Sequence, residues 1–170
     1  MTKSAKTSGK GKSANDGEAV IVNITRNRRA AFEYQLLDRI ECGIVLVGTE
    51  VKSLREGHAN LEDAYGKIEN DEVFLVGAEI PEYTFGNRLN HQPKRERKLL
   101  LNKSEIAKFA AKADQRGFTL IPVRMYFKDG LAKVELAIAK GKQDHDKRDA
   151  IRESDAKREM QRELGRKRKL

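Results

Sequence analysis

The stretch FTLIPVRMYFKDGLAKVELAIA, residues 118–139, decides the fold. Two β-rich runs, FTLIPVRMYF and LAKVELAIA, flank Lys128, Asp129 and Gly130. An Asp-Gly pair between such runs predicts a tight hairpin, because the favoured two-residue turn needs positive φ angles that these residues tolerate. Pro122 lacks a ladder donor, so it predicts an edge or a bulge in the first strand.

The same pattern recurs upstream, where DAYGKIEN (63–70) and EVFLVGAEI (72–80) meet around Asn70 and Asp71 and predict a second hairpin. AVIVN (19–23) predicts a short strand. After a basic turn, TRNRR, a longer strand is expected from FEYQLLDRI to IVLVG (44–48), with Gly43 as a bulge or kink.

Two helices separate these runs. In TEVKSLREG, Thr49 is expected to cap, Glu50 to face the positive end of the helix dipole, Val51 and Leu54 to point inward, and Gly57 to end the helix. Asn102 precedes KSEIAKFAAKADQRG, with Glu105 as its capping-box partner and Gly117 as the stop. Ile106, Phe109, Ala110 and Ala113 fall at the spacing of one apolar face. From Pro81 to Lys98 no period is present, which predicts a long loop of the kind often used for binding. About six hairpin-connected strands with two helices imply a mainly β, α+β fold: a small antiparallel barrel with flanking helices, not a doubly wound sheet.

Charge divides the chain further. The net charge is +9 over 170 residues, and segments 1–29, 88–98 and 140–170 carry +5, +4 and +5, so the remaining body sums to −5. A mildly acidic body with basic appendages points to a polyanion, nucleic acid first, gripped through extensions or one local face. Residues 1–18 have almost nothing to bury and are expected to be disordered, residues 19–140 form the barrel, and 141–170 form a basic tail. The tail has good helix formers, but Ile151, Met160 and Leu164 are too sparse for a stable apolar stripe. It is expected to be unfolded when free and helical in a phosphate-lined groove.

A lone cysteine, Cys42, excludes an intrachain disulfide and fits a reducing compartment. No segment has the length of a membrane span and the first residues lack an apolar signal region, so a cytoplasmic protein is expected. Catalytic and cofactor chemistry finds no support. GKGKS (9–13) lacks the first glycine of a phosphate loop and follows no strand. His58, His91 and His145 lie far apart and are expected to be solvent-exposed, with no metal-ligand spacing. Cys42 reads as a small buried side chain.

The loop residues NRLNHQPKRERKLLLN (87–102) mix Arg88, Lys94, Arg95, Arg97 and Lys98 with amides, a composition suited to phosphate and sugar contacts. Aromatic residues are only 6% of the chain, so recognition of a folded RNA by shape and backbone is favoured over base stacking.

Several ordered blocks, NRRA, EYQLLDRIECGIVLVGTEVKSLREGHANLEDAY, GNRLNHQPKRERKLLLNKSEI, LIPVRMYFKDGLAKVELAIAKGK and HDKRDAIRE, resemble the small protein B family, the tmRNA-binding (SsrA-binding) proteins of bacterial trans-translation. The resemblance implies an OB-like barrel, a monomer when free, and binding to the tRNA-like domain of tmRNA. It further implies delivery to the A site of a stalled ribosome, with the body in place of the anticodon arm and the tail in the empty mRNA channel. Glu41, Leu100 and Asn102 match the family's RNA-binding positions. Gly141, Lys142, Asp146, Lys147, Arg148, Ile151 and Arg152 match its ribosome-facing tail, with Gly141 as hinge. From the residues alone, Glu41 reads equally as an edge-strand acid, Leu100 as core and Asn102 as a helix cap. Phe32 and His58 depart from the family pattern by lowering positive charge, and Cys42 replaces a small alanine. A structural or regulatory rRNA-binding protein of the ribosome is the alternative.

Overall fold

The computed structural model describes residues 19–113, 117–143, 158 and 160. Among residues 19–141 the elements follow in the order β1 (Ile21–Arg26), α1 (Arg28–Glu33), β2 (Tyr34–Ile44), α2 (Gly48–Arg55), β3 (Tyr65–Glu69), β4 (Glu72–Val76), β5 (Arg97–Leu100), α3 (Lys103–Ala113), β6 (Phe118–Lys128) and β7 (Leu131–Gly141). Both expected hairpins form. Asp129 and Gly130 have φ of 50° and 80°, and Asn70 and Asp71 of 49° and 58°, the paired positive angles that a primed two-residue turn requires.

All sheet pairings are antiparallel. The order β6-β3-β4-β5-β2-β7 returns to β6 through the β6–β7 hairpin, so six strands close a ring with no free edge among them. β1 is the seventh, paired to β6 over Arg124–Lys128, beyond the point where β3 meets β6 at Leu120. Closure puts one face of every ring strand inside. Cys42, Leu75, Leu99, Met125, Val134 and Leu136 are buried there, with Leu54 of α2 and Ile106 and Phe109 of α3 joining the same cluster. A second, smaller cluster forms where Ala30 of α1 meets Ile121 and Ala139, with Tyr34 and Leu36 beside it. No helix is long and apolar enough to cross a membrane among the described residues.

Two elements differ from the sequence expectation. The basic turn TRNRR is the end of β1 followed by α1, because Asn27 accepts the Ala30 N–H at 2.9 Å and donates to the Leu61 carbonyl at 2.8 Å, capping a helix that begins at Arg28. The long loop ends at Glu96, because Arg97 and Lys98 open β5; a charged residue facing the core reads as loop until its buried partner is known. The first strand starts at Ile21 and the second stops at Ile44.

Gly43 is not a bulge. The register of β2 against β7 shifts between Leu36 and Arg39, while Gly43 stays opposite Leu100 and Lys133. Its missing side chain allows close approach instead: a Cβ there would lie 3.2 Å from Leu100 Cβ. At Pro122 the expected irregularity is present, between Pro122 and Arg124.

Candidate nucleic-acid interface

Residues opposite one another in an antiparallel pair share a face, so the register maps the outer surface of the ring. Glu135 of β7 lies opposite Glu41 of β2 and Arg124 of β6, and Lys133 lies opposite Gly43 and Tyr126. Leu100 sits opposite Gly43 on β5. Glu41 and Leu100 therefore stand on one outward surface, and Lys98, two residues from Leu100, alternates to the same side.

A continuous chain of polar contacts crosses that surface. Glu135 takes Arg39 at 3.1 Å on one oxygen and Arg124 at 2.5 Å on the other. The Arg124 guanidinium stacks 4.6 Å from the Tyr126 ring centroid, and the Tyr126 hydroxyl donates to Glu41 Oε2 at 2.5 Å. Lys128 Nζ stands 3.2 Å from both Glu41 oxygens, and Lys133 Nζ is 3.9 Å from Oε1. The tyrosine hydroxyl, aided by the lysines against partial burial, holds the Glu41 carboxyl below its ordinary pKa. Burial first, then Glu41, pushes the Tyr126 phenol up to about 12. Glu41 is therefore an ionised acceptor aimed by its neighbours, on a face with cations around it.

Leu100 is 53% exposed, which removes the core reading for it. Val45, also half-exposed, donates its N–H to the Lys98 carbonyl one step along the same strand pair. Asn102 keeps its capping place, with its N–H donating to Glu105 Oε2 at 2.9 Å and its carbonyl accepting from Ile106. Lys98 pairs with Glu72 across the sheet.

The loop arginines divide. Arg97, expected on the RNA, is fully buried. Its Nε donates to Glu50 at 2.8 Å and its other nitrogens to the carbonyls of Ala78, Arg95 and Pro93. No surface is left for a ligand, and its place in the RNA-binding set is withdrawn. Arg95 grips the same carboxylate through Nε at 2.8 Å and Nη2 at 2.6 Å, with part of its side chain still accessible. Glu50, expected merely to face a helix dipole, is the centre of this cluster: its Oε2 also accepts the Val47 N–H at 2.8 Å, which starts α2 at Gly48 in place of the expected Thr49 cap. Burial alone would raise the Glu50 carboxyl, but Arg95, the Val47 N–H and Arg97 together leave it below its ordinary value. Burial lowers the Arg97 guanidinium, with Glu50 opposing.

Thr49 bonds His91 Nδ1 at 2.9 Å, and His91 Nε2 meets the Ile80 carbonyl at 3.0 Å. That carbonyl can only accept, so Nε2 carries a proton directed at it. His91 is thus buried, contrary to the expected solvent exposure, whereas His58 is exposed. Of the loop cations Arg88 and Lys94 are the exposed ones: Lys94 stands 3.7 Å from Glu79, and Arg88 lies in a 3-10 turn at Asn87–Leu89 between the exposed Phe85 and Leu89.

Gly141 ends β7 opposite Tyr34, still within the sheet. The chain is fastened one residue further, where the Lys142 N–H donates to Glu33 and its Nζ to Ala31. Asp146, Lys147, Arg148, Ile151 and Arg152 lie outside the described residues. Cys42 is buried, and desolvation pushes its thiol up to about 12, the state of a packing side chain.

Sequence reading missed Arg39, Arg124, Tyr126, Lys128, Lys133 and Glu135. The alternation Arg124, Tyr126, Lys128 within PVRMYFK carried the signal for three of them.

Comparison with known proteins adds four findings. The family model described as SmpB protein matches residues 24–166. The SsrA-binding protein of Thermobifida fusca (strain YX) is 54% identical over 145 residues, spanning 85% of this chain and 91% of that protein. The SsrA-binding protein of Corynebacterium urealyticum is 52% identical over 164 residues, 96% of this chain and 92% of that protein. A solved chain described under "tmRNA-SmpB: a journey to the center of the bacterial ribosome" is 41% identical with a TM-score of 0.62, covering 75% of this chain and 94% of that one.

Proposed function

The chain belongs to the SmpB protein family, and from that premise we propose that it binds SsrA RNA, the tmRNA of trans-translation, through the tRNA-like domain. The observation that carries the reading is the ionised Glu41 carboxylate, held by Tyr126, Lys128 and Lys133 on an outward face beside the exposed Leu100. Such a carboxylate accepts hydrogen bonds from base amino groups or ribose hydroxyls, and the flanking cations meet phosphates. Leu100 offers an apolar surface to an unstacked nucleotide, and Asn102, Arg88, Arg95 and Lys98 extend the contact.

The loaded complex enters the vacant A site of a stalled ribosome, with the closed ring in place of the anticodon arm. The tail beyond Lys142, with Asp146, Lys147, Arg148, Ile151 and Arg152, folds to a helix along the decoding centre and the empty mRNA channel. Its place of work is the cytoplasm. No chemical step belongs to this chain; aminoacylation and peptide transfer fall to alanyl-tRNA synthetase and the ribosome.

Titration of the full chain with a tRNA-like domain transcript tests the reading: a saturable complex whose affinity falls as salt rises is expected. Equal affinity for an unrelated RNA duplex would overturn it. Deleting residues 144–170 separates delivery from binding, since the shortened chain should hold tmRNA yet fail to tag on stalled ribosomes. A ribosomal rRNA-binding protein would instead lose ribosome association and show no preference for the tRNA-like domain.

A further inference from the structure

Three strands break register on the same side of the molecule, and each break stands just before an arginine. β1 shifts between Asn23 and Thr25, next to Arg26; β2 shifts between Leu36 and Arg39; β6 shifts between Pro122 and Arg124. Bulges twist a strand and re-aim the side chain that follows. Arg26, Arg39 and Arg124 all line one groove of about 570 Å³, with Asn23, Thr25 and Glu135 beside them.

We infer that this groove is a second RNA contact, in which Arg26, Arg39 and Arg124 bind backbone phosphates. The inference rests on the tmRNA reading above and extends it from the Glu41 face into the adjoining groove, whose lining includes none of the expected RNA contacts. Arg26 lies directly opposite Arg124 in the β1–β6 pair, and like charges so placed destabilise a sheet. Glu135 offsets part of this by taking Arg39 and Arg124, one through Nη1 and the other through Nε, which leaves the remaining donors of each guanidinium free for a ligand. Arg26 has no carboxylate partner among the described residues. A purely structural ladder would account for Arg39 and Arg124 but not for Arg26.

The chemistry favours phosphate over bases. No aromatic residue lines the groove, and Tyr126 beneath Arg124 is 2% exposed and offers no stacking platform. Guanidinium forks match phosphate oxygens bidentately. The groove is joined to Glu41 through Glu135, Arg124 and Tyr126, so a backbone crossing the Glu41 face continues into it.

The test uses the full chain with Arg26→Glu, Arg26→Lys and Glu41→Ala, titrated with the tRNA-like domain transcript over a range of KCl. Arg26→Glu is expected to weaken binding about tenfold at low salt. It should also lower the slope of log affinity against log salt by roughly 0.7–0.9, the value of one phosphate contact. Arg26→Lys should restore most of both, and Glu41→Ala should reduce affinity with the slope unchanged. An Arg26→Glu isotherm and slope equal to wild type would overturn the groove, as an acidic protein surface for its occupant predicts, while leaving the tmRNA reading intact. Failure of the wild type to prefer the transcript would overturn that reading and the groove with it.

Discussion

Glu50 and Glu41 are each held among cations, and they part at burial. Glu50 has no exposed surface, with Arg95 and Arg97 on its two oxygens and the Val47 N–H on one of them. Glu41 keeps 36% of its side chain in solvent beside a tyrosine and two lysines. Removing a carboxylate from water costs several kcal/mol unless every lone pair is met, so Glu50 is committed to its partners. Glu41 retains room for a further donor. The same contrast sorts the arginines: Arg97 fastens the 81–96 loop to α2 and β5, while Arg26, Arg39 and Arg124 face outward.

The largest effect is expected where the comparison is most one-sided. Glu50→Ala leaves Arg97 buried without its counter-charge and should cost about 3–5 kcal/mol of unfolding free energy, measured by urea denaturation. A loss under about 1 kcal/mol, the range of exposed pairs, would erase the distinction between the two glutamates.

Glu41→Ala should act on binding instead. A hydrogen bond to a charged group is worth roughly 1.5–3 kcal/mol, so the dissociation constant for the tRNA-like domain should rise about tenfold or more. Its stability should change by less than about 1 kcal/mol. A large stability loss with unchanged affinity would make Glu41 a second Glu50.

Leu100→Ala sharpens the picture on the apolar side. Because half of Leu100 is exposed, truncation should shift stability by no more than about 1 kcal/mol, well below the 2–5 kcal/mol of a core leucine. Affinity for the transcript should fall a few-fold in the same isotherms.

Acid provides the smallest and most specific test. The folded-state pKa of Glu50 is depressed, so its contribution is present above the unfolded carboxylate value of about 4.3 and lost as pH falls through the folded value. Wild type should lose stability over that window, and Glu50→Gln, already without the ion pair, should lose less. Equal pH dependence of the two would remove Glu50 from the acid transition.

The hairpins were legible because Asp129-Gly130 and Asn70-Asp71 encode their turns locally. The helix α3 followed from its apolar period, and the barrel class from the strand count and hairpin connections. What escaped depended on distant partners. RKLL pairs with β2 and β4 while Glu50 on another element takes its buried Arg97, and TRNRR hid a helix whose cap, Asn27, is anchored by Leu61 and Val123. Among site residues, Glu41, Leu100 and Asn102 came from family resemblance, not from spacing. Their environment, including Tyr126 and Lys133, was invisible because cross-strand register places it. The loop's basic composition misled at Arg97, where charge serves the interior.

Hydroxyl-radical footprinting of the full chain, read by mass spectrometry with and without saturating tRNA-like domain, tests the central claim that the outer face around Glu41 meets the RNA. Leu100, now 53% exposed, should lose most of its reactivity in the complex, while the exposed Met160 of the tail keeps its own until a stalled ribosome is added. Unchanged oxidation of Leu100 in the saturated complex would contradict the account.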